Sequence, residues 1–129
     1  MPDEHEYPTE DELKVFDRWK ISKDIDSAVF IKAFHAKDVV EHLESIWWYP
    51  ERQMELRPGR EPLSHRKVMK LALHTGGWSG NEDIIIELKQ TWFWLMYWQQ
   101  SHRGGHYYLE IPWRDWQKER IAQNERSEQ

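Results

Sequence analysis

Two glycine pairs in the second half of the chain stand beside side chains that suit an anionic, flat ligand. Gly76-Gly77 is followed by Trp78, and Gly104-Gly105 lies between Arg103 and His106. Glycine allows close approach of the backbone to a ligand. An indole ring offers a stacking surface, and a guanidinium forms paired hydrogen bonds with phosphate or carboxylate. The combination predicts a site for a nucleotide or another anionic, planar molecule.

The first glycine pair also leads into a predicted helix start, which offers a purely structural alternative. Ser79 is placed to cap the helix, and Glu82 completes the spacing of a capping box. N–H groups and the helix dipole at such a start favour an anion, but a capping box would occupy both side chains without a ligand. Trp78 fits a core lid as well as a stacking platform, and Arg103 at a hairpin tip is more often a solvated charge. The chain has neither a GK[ST] phosphate loop nor a GxGxxG motif.

The remaining polar residues carry no catalytic or metal signature. His65, His74, His102 and His106 could converge, but no helical HExxH pattern accompanies them. We therefore expect no bound metal and no cofactor. An enzyme acting on a nucleotide or nucleic acid, with His102, His106 and Glu82 as candidate groups, remains the third interpretation.

Composition narrows the class of protein. The 129 residues include 18 basic and 23 acidic ones, giving a net charge of −5, which argues against general duplex-DNA binding through a dominant basic face. The chain has no cysteine, so disulfides, thiolate zinc sites and cysteine nucleophiles are excluded and a reducing cytosol is the default. We expect no signal peptide and no membrane association. Nine tryptophans indicate an aromatic core, a stacking surface, or both.

Periodicity predicts one α+β domain over residues 10–113, between a disordered acidic N-terminus (1–9) and a charged, partly helical tail (114–129). Thr9 and Glu12 form a capping-box pattern before the first helix, and apolar spacing predicts another helix over 37–47. Residues 21–31 fit helix or strand. Met54–Arg57 fits a short strand, followed by a turn at Pro58-Gly59.

The second half of the domain supplies the predicted sheet. Residues 66–75 fit strand or helix, and we favour strand because strand, loop and helix then follow in order. A helix is predicted over 79–90, and strands over 92–99 and 106–112 join through a Gly-Gly loop. The predicted fold is a small, mostly antiparallel sheet that includes the 92–99/106–112 hairpin, with helices packed on it.

The segments LHTGGWSGNEDII and WFWLMYWQQSHRGGHYYLEIP resemble small proteins encoded by tailed bacteriophages and prophages, in which a TGGWSGNE element precedes a tryptophan-rich strand and an RGGHY hairpin. The resemblance covers about residues 70–112 and implies a phage context, in the cytoplasm of the bacterial host, but no particular activity. It also implies that one group of residues forms a unit: Gly76, Gly77, Trp78, Ser79, Asn81, Glu82, Arg103, Gly104, Gly105 and His106.

The leading hypothesis is a small non-enzymatic phage protein that binds, and thereby sequesters, an anionic nucleotide-like ligand between the 76–82 loop and the 102–106 hairpin. The predicted ligand-binding residues are Gly76, Gly77, Trp78, Ser79, Asn81, Arg103, Gly104, Gly105 and His106. The alternative is a protein-interaction module that inhibits a host factor through exposed aromatic side chains. Oligomeric state stays open.

Overall fold

The computed structural model describes residues 7–22 and 34–118. The predictions for residues 1–6, for 23–31 and for the tail beyond residue 118 fall outside these ranges. The predicted first helix is confirmed as α1 (Glu10–Lys14), where Thr9 Oγ1 accepts from Glu12 N and Glu12 Oε1 accepts from Thr9 N. A 3-10 segment, Val15–Trp19, follows and buries Phe16 and Trp19.

Five further helices lie in the second described range. The predicted 37–47 helix is confirmed as α2 (Ala36–Ile46), which buries the apolar stripe that predicted it. The others are α3 (Pro50–Gln53), α4 (Ser79–Leu88), α5 (Trp92–Tyr97) and α6 (Trp113–Trp116).

Four antiparallel strands form one sheet in the order β1-β2-β4-β3. They are β1 (Met54–Arg60), β2 (Lys67–His74), β3 (Trp98–His102) and β4 (His106–Pro112). The α+β class and the antiparallel sheet are therefore confirmed, and the ambiguous 66–75 segment is a strand. Strand β2 is central and lies beside β4, so the loop after β2 and the hairpin before β4 meet at one end of the sheet.

Side chains alternate between two unlike faces of this sheet. The inner face carries Met69, Leu71 and Leu73 of β2 with Leu109 and Ile111 of β4, and these join the buried cluster formed with α2, α4 and α5. The outer face carries the residues between them along the strands. The helices pack on the inner face, which gives a two-layer arrangement.

The predicted hairpin exists, but its first strand begins at Trp98 rather than at residue 92. Residues 92–97 form α5 instead, and Thr91 caps it by accepting from Trp94 N at 3.2 Å. Phe93 and Tyr97, one helical turn apart, are buried together. Aromatic and apolar residues occupy every position of this segment, so the period-2 pattern that predicted a central strand was wrong.

The predicted turn at Pro58-Gly59 was also wrong. Both residues lie within β1, which continues to Arg60, and the chain reverses over residues 61–66. An edge strand tolerates proline because the backbone N–H groups on its outer side form no hydrogen bonds with a neighbouring strand.

Candidate functional site

The two glycine loops touch. Thr75 N, immediately before Gly76, donates to Gly105 O at 2.9 Å. Gly76, Gly77, Gly104 and Gly105 all adopt positive φ, a conformation that costs other residues free energy. Left-handed backbone is therefore a structural reason for glycine at both pairs, and the contact joins the two loops at one edge of the molecule.

The four glycines do not face the same surroundings. A Cβ at Gly105 would lie 2.0 Å from Thr75 Oγ1, and one at Gly76 would lie 2.8 Å from the Gln53 amide nitrogen. A Cβ at Gly77 would meet nothing within 4 Å. Gly76 and Gly105 therefore allow the loops to pack on their own chain, whereas the surface beside Gly77 is open.

The capping box predicted at the start of α4 was wrong. Trp78 is the N-cap and no side chain caps the helix, while Ser79 is its first residue and is exposed. Trp78 N donates to Thr75 O at 3.0 Å. The N-cap thus lies one residue before the predicted cap Ser79, and the helix itself begins at Ser79 as predicted. The Ser79 side chain is therefore exposed at the loop surface and makes no capping bond. Glu82 is also exposed, in the first turn of the helix.

Asn81 lies inside the fold and not on a binding surface. Its side chain is 0 % exposed. Asn81 Oδ1 accepts from Trp48 N at 2.9 Å, and Nδ2 donates to Trp48 O at 3.2 Å and to Thr75 O at 3.4 Å. The residue ties the segment after α2 to the loop after β2, so it positions the site without reaching a ligand.

Trp78 combines the two roles that its sequence position allowed. The ring is half-buried and packs edge-to-face on Trp48, which is itself buried. One part of the Trp78 ring therefore fixes the loop, and the exposed part borders the open surface near Gly77.

Three histidines form a row across the sheet end. His74 of β2 pairs with His106 of β4, which pairs with His102 of β3. His74 Nδ1 and His106 Nδ1 are 2.8 Å apart, so one ring must donate and the other accept. Burial lowers the pKa of His74, and the neighbouring His106 lowers that pKa further. Tyr108 meets both His74 and His102 edge-to-face.

The predicted site residues divide between two sides of the loop edge. His106 projects from the outer face, because it alternates with the inner residues Tyr107 and Leu109. Trp78 and Ser79 begin α4, which packs on the inner face. Arg103 lies between these sides at the exposed hairpin tip.

The Arg103 guanidinium forms no ion pair with any residue in the described ranges. His65 lies in the 61–66 turn, at the opposite end of β2 from His74, so the four histidines do not converge. Within residues 7–22 and 34–118, no three His, Cys, Asp or Glu side chains are placed to hold a metal ion.

Sequence reasoning missed a shallow groove on the outer face. Ala72 forms its floor, and Tyr108, Gln100, Glu55 and Lys70 are among the residues that line it. The alternation of β4 already placed Tyr108 opposite Leu109 and Ile111, but the partner strands were needed to show what surrounds the ring.

Comparison of the chain with protein-family models, with curated proteins and with solved structures finds no match. Among the described residues, no helix is long and apolar enough to cross a membrane.

Proposed function

We propose that the protein binds an anionic, nucleotide-like ligand at the edge where its two glycine loops meet. The observation that carries the proposal is the Thr75–Gly105 hydrogen bond. Each of its two residues is two positions from an exposed loop residue, since Gly77 follows Thr75 and Arg103 precedes Gly105. This contact supports a single binding site that both glycine motifs share.

Each remaining group has a defined part in this proposal. Arg103 supplies an exposed guanidinium for a phosphate or carboxylate. Gly77 leaves room for the ligand beside the backbone. His106 and the exposed part of Trp78 border the loop edge from its two sides, where they offer a hydrogen-bonding ring and a stacking ring. Asn81 and Gly76 hold the loop in shape.

Binding without turnover accounts for the residues at this edge. The His74–His106 pair uses the Nδ1 atoms for each other, and no nucleophile with an oriented base is part of the predicted set. The resemblance of residues 70–112 to phage proteins supports a role in the infected bacterial cytoplasm, where binding would sequester a nucleotide signal.

Isothermal titration calorimetry against mono-, di- and cyclic nucleotides tests the proposal. We expect at least one to bind, and Arg103→Ala to weaken it roughly 10-fold or more, since a charge-assisted hydrogen bond contributes about 1.5–3 kcal/mol. Arg18→Ala is the matched control, because Arg18 is also exposed but lies in the 3-10 segment. Uniform absence of binding, or equal effects of the two variants, would contradict the proposal.

A second function, docking on a host protein, is favoured by one apolar surface. Leu95 is 63 % exposed and Trp98 is 43 % exposed, and the Trp98 ring stacks on Trp94 beside the edge strand β3. Exposed Trp and neighbouring apolar residues are typical of interface centres. Affinity capture from bacterial lysate with wild-type protein and Leu95→Asp distinguishes the functions, because one stoichiometric partner lost in the variant supports docking.

A further inference from the structure

The outer face of the sheet continues from the loop edge to a cationic end of the molecule. The row His74–His106–His102 lies at the loop end. The next outer row contains Tyr108. In the row after it, Lys70 lies between Arg57 and Glu110, and Lys70 Nζ is 3.8 Å from the Glu110 carboxylate. Polar and aromatic side chains therefore extend along the strands on the side opposite to the helices.

A second groove lies where this face ends. Its apolar floor includes Val68, Pro112 and Trp113, and its rim includes Arg66, Lys67 and Arg114. Lys67 Nζ lies 4.0 Å from the centre of the Trp113 ring, within the range of a cation–π contact.

The cations at this end differ in their partners within the described residues, and Arg114 of the rim is paired with Asp115 at 3.4 Å. Arg66 and Lys67 are exposed and form no ion pair there, and Arg60 Nη1 donates only to His65 O, at 3.2 Å. Glu61 is the nearby acid, but its carboxylate accepts from Leu63 N and Ser64 N within the turn. Hydrogen bonds from Ser64 lower the pKa of Glu61, so it remains ionised as part of the turn. An acidic chain thus presents a local cluster of cations beside an indole.

We propose that a short single-stranded nucleic acid lies along this outer face, from Arg103 at the loop edge to the end groove that Arg66 and Lys67 line. The inference rests on the proposed function, because it makes the nucleotide-like ligand one unit of a longer strand. The seven residue steps from Lys67 to His74 span about 23 Å. A strand of about four nucleotides or more suits such a path, since single-strand sites begin near that length.

The middle of the path favours bases over other anions. The Tyr108 ring, set by edge contacts with His74 and His102, is a surface on which a base can stack. Glu55 and Gln100 border the same groove, and carboxylate and amide oxygens accept hydrogen bonds from base amino groups. Glu55 repels an acidic peptide and a phosphodiester backbone alike, so the preference for a nucleic acid rests on base stacking and on base amino groups. A duplex would need a broader basic surface than these two ends provide.

Fluorescence anisotropy with labelled octamers of cytidine and of deoxycytidine, whose bases carry amino groups, tests the inference. We expect at least one octamer to bind more tightly than the corresponding mononucleotide. The double variant Arg66→Glu/Lys67→Glu should weaken the octamer roughly 10-fold or more and lower its salt slope by about 1.4, the value for two phosphate contacts on a single strand. It should leave mononucleotide binding unchanged. Arg18→Glu controls for charge, and circular dichroism checks folding.

Arg103→Ala separates failure of this inference from failure of the proposed function. It should weaken mononucleotide and octamer alike if the strand reaches the loop edge. Mononucleotide binding with an octamer that is no tighter, or an octamer indifferent to the double variant, would overturn the inference and leave the proposed function standing. Absence of mononucleotide binding contradicts the proposed function itself. A glutamate-rich peptide that binds as tightly as the octamer, with the same loss in the double variant, would show an acidic protein as the partner and overturn the inference.

Discussion

The two faces of the sheet divide the work of the molecule. On the inner face, Leu71 and Leu73 are at most 1 % exposed and pack against helices. On the outer face, their sequence neighbours Lys70 and Ala72 border an open groove. Adjacent residues of one strand thus serve either stability or surface chemistry, because consecutive side chains of a strand point to opposite sides.

This division means that the proposed binding surface can be altered without unfolding the protein. The loop edge is the exception, because residues that stabilise the fold and residues proposed to bind the ligand lie there within a few positions of each other. Gly105 packs on Thr75, while Gly77 and Arg103 face open space or solvent. Paired substitutions, first on the two faces of the sheet and then in the two glycine loops, test whether buried and exposed positions differ in their effect on the free energy of unfolding.

The largest contrast is expected between Leu71→Ala and Lys70→Ala. Leu71→Ala should lower the free energy of unfolding by about 2–5 kcal/mol, because it removes a buried side chain and leaves a cavity. Lys70→Ala should change it by less than about 0.5 kcal/mol, because its contact with Glu110 is a 3.8 Å surface ion pair. Urea denaturation measures both. Equal losses would show that the outer face also contributes to the core.

A comparable contrast is expected within the loop edge. Gly105→Ala should cost about 2–4 kcal/mol, because left-handed strain adds to the clash with Thr75 Oγ1. Gly77→Ala should cost only about 1–2 kcal/mol, from backbone conformation alone. Thermal unfolding of the two variants provides the measurement, and a Gly77→Ala loss as large as that of Gly105→Ala would mean that the open space is closed in solution.

Asn81→Ala should destabilise the protein by about 1–3 kcal/mol, because it leaves the backbone groups of Trp48 without partners inside the fold. Ser79→Ala is its control on the same helix and should change stability by less than about 0.5 kcal/mol, since Ser79 makes no capping bond. Urea denaturation at one pH separates the two residues. A larger loss in Ser79→Ala would restore the capping role that the sequence suggested.

The smallest effect concerns pH. Because burial and His106 lower the pKa of His74 in the folded state, the unfolded chain takes up a proton first as pH falls through its unfolded value of 6.5. The contribution of neutral His74 to the free energy of unfolding is fully present above pH 6.5. It is lost progressively as the pH falls from 6.5 to the lower pKa that His74 has in the folded state. His74→Gln should therefore lose less stability than wild type between pH 7 and 5. Parallel curves for wild type and His74→Gln would contradict the assignment.

Much of the fold follows from local pattern. Alternation along β2 and β4 identified the inner residues, and the Thr9–Glu12 spacing identified the first cap. The hydrophobic pattern could not separate helix from strand over residues 92–97, because every residue there is apolar or aromatic. The segment is a helix because Thr91 caps it and because Phe93 and Tyr97 are buried on one side. The site was predictable in part, since both glycine pairs and Arg103 were identified, whereas Tyr108, Arg66 and Lys67 were not.

By itself, the sequence determined where the glycine pairs stand, which strand positions are apolar, and that the chain lacks cysteine chemistry. Those properties depend on side-chain type and on neighbours in the chain. Only the tertiary structure decided that Thr75 contacts Gly105, that Asn81 bonds to the Trp48 backbone, and that Arg66 and Lys67 line a groove with Trp113. These depend on β2 lying beside β4, a pairing fixed by how the inner face packs on the helices, which no local stretch of sequence encodes.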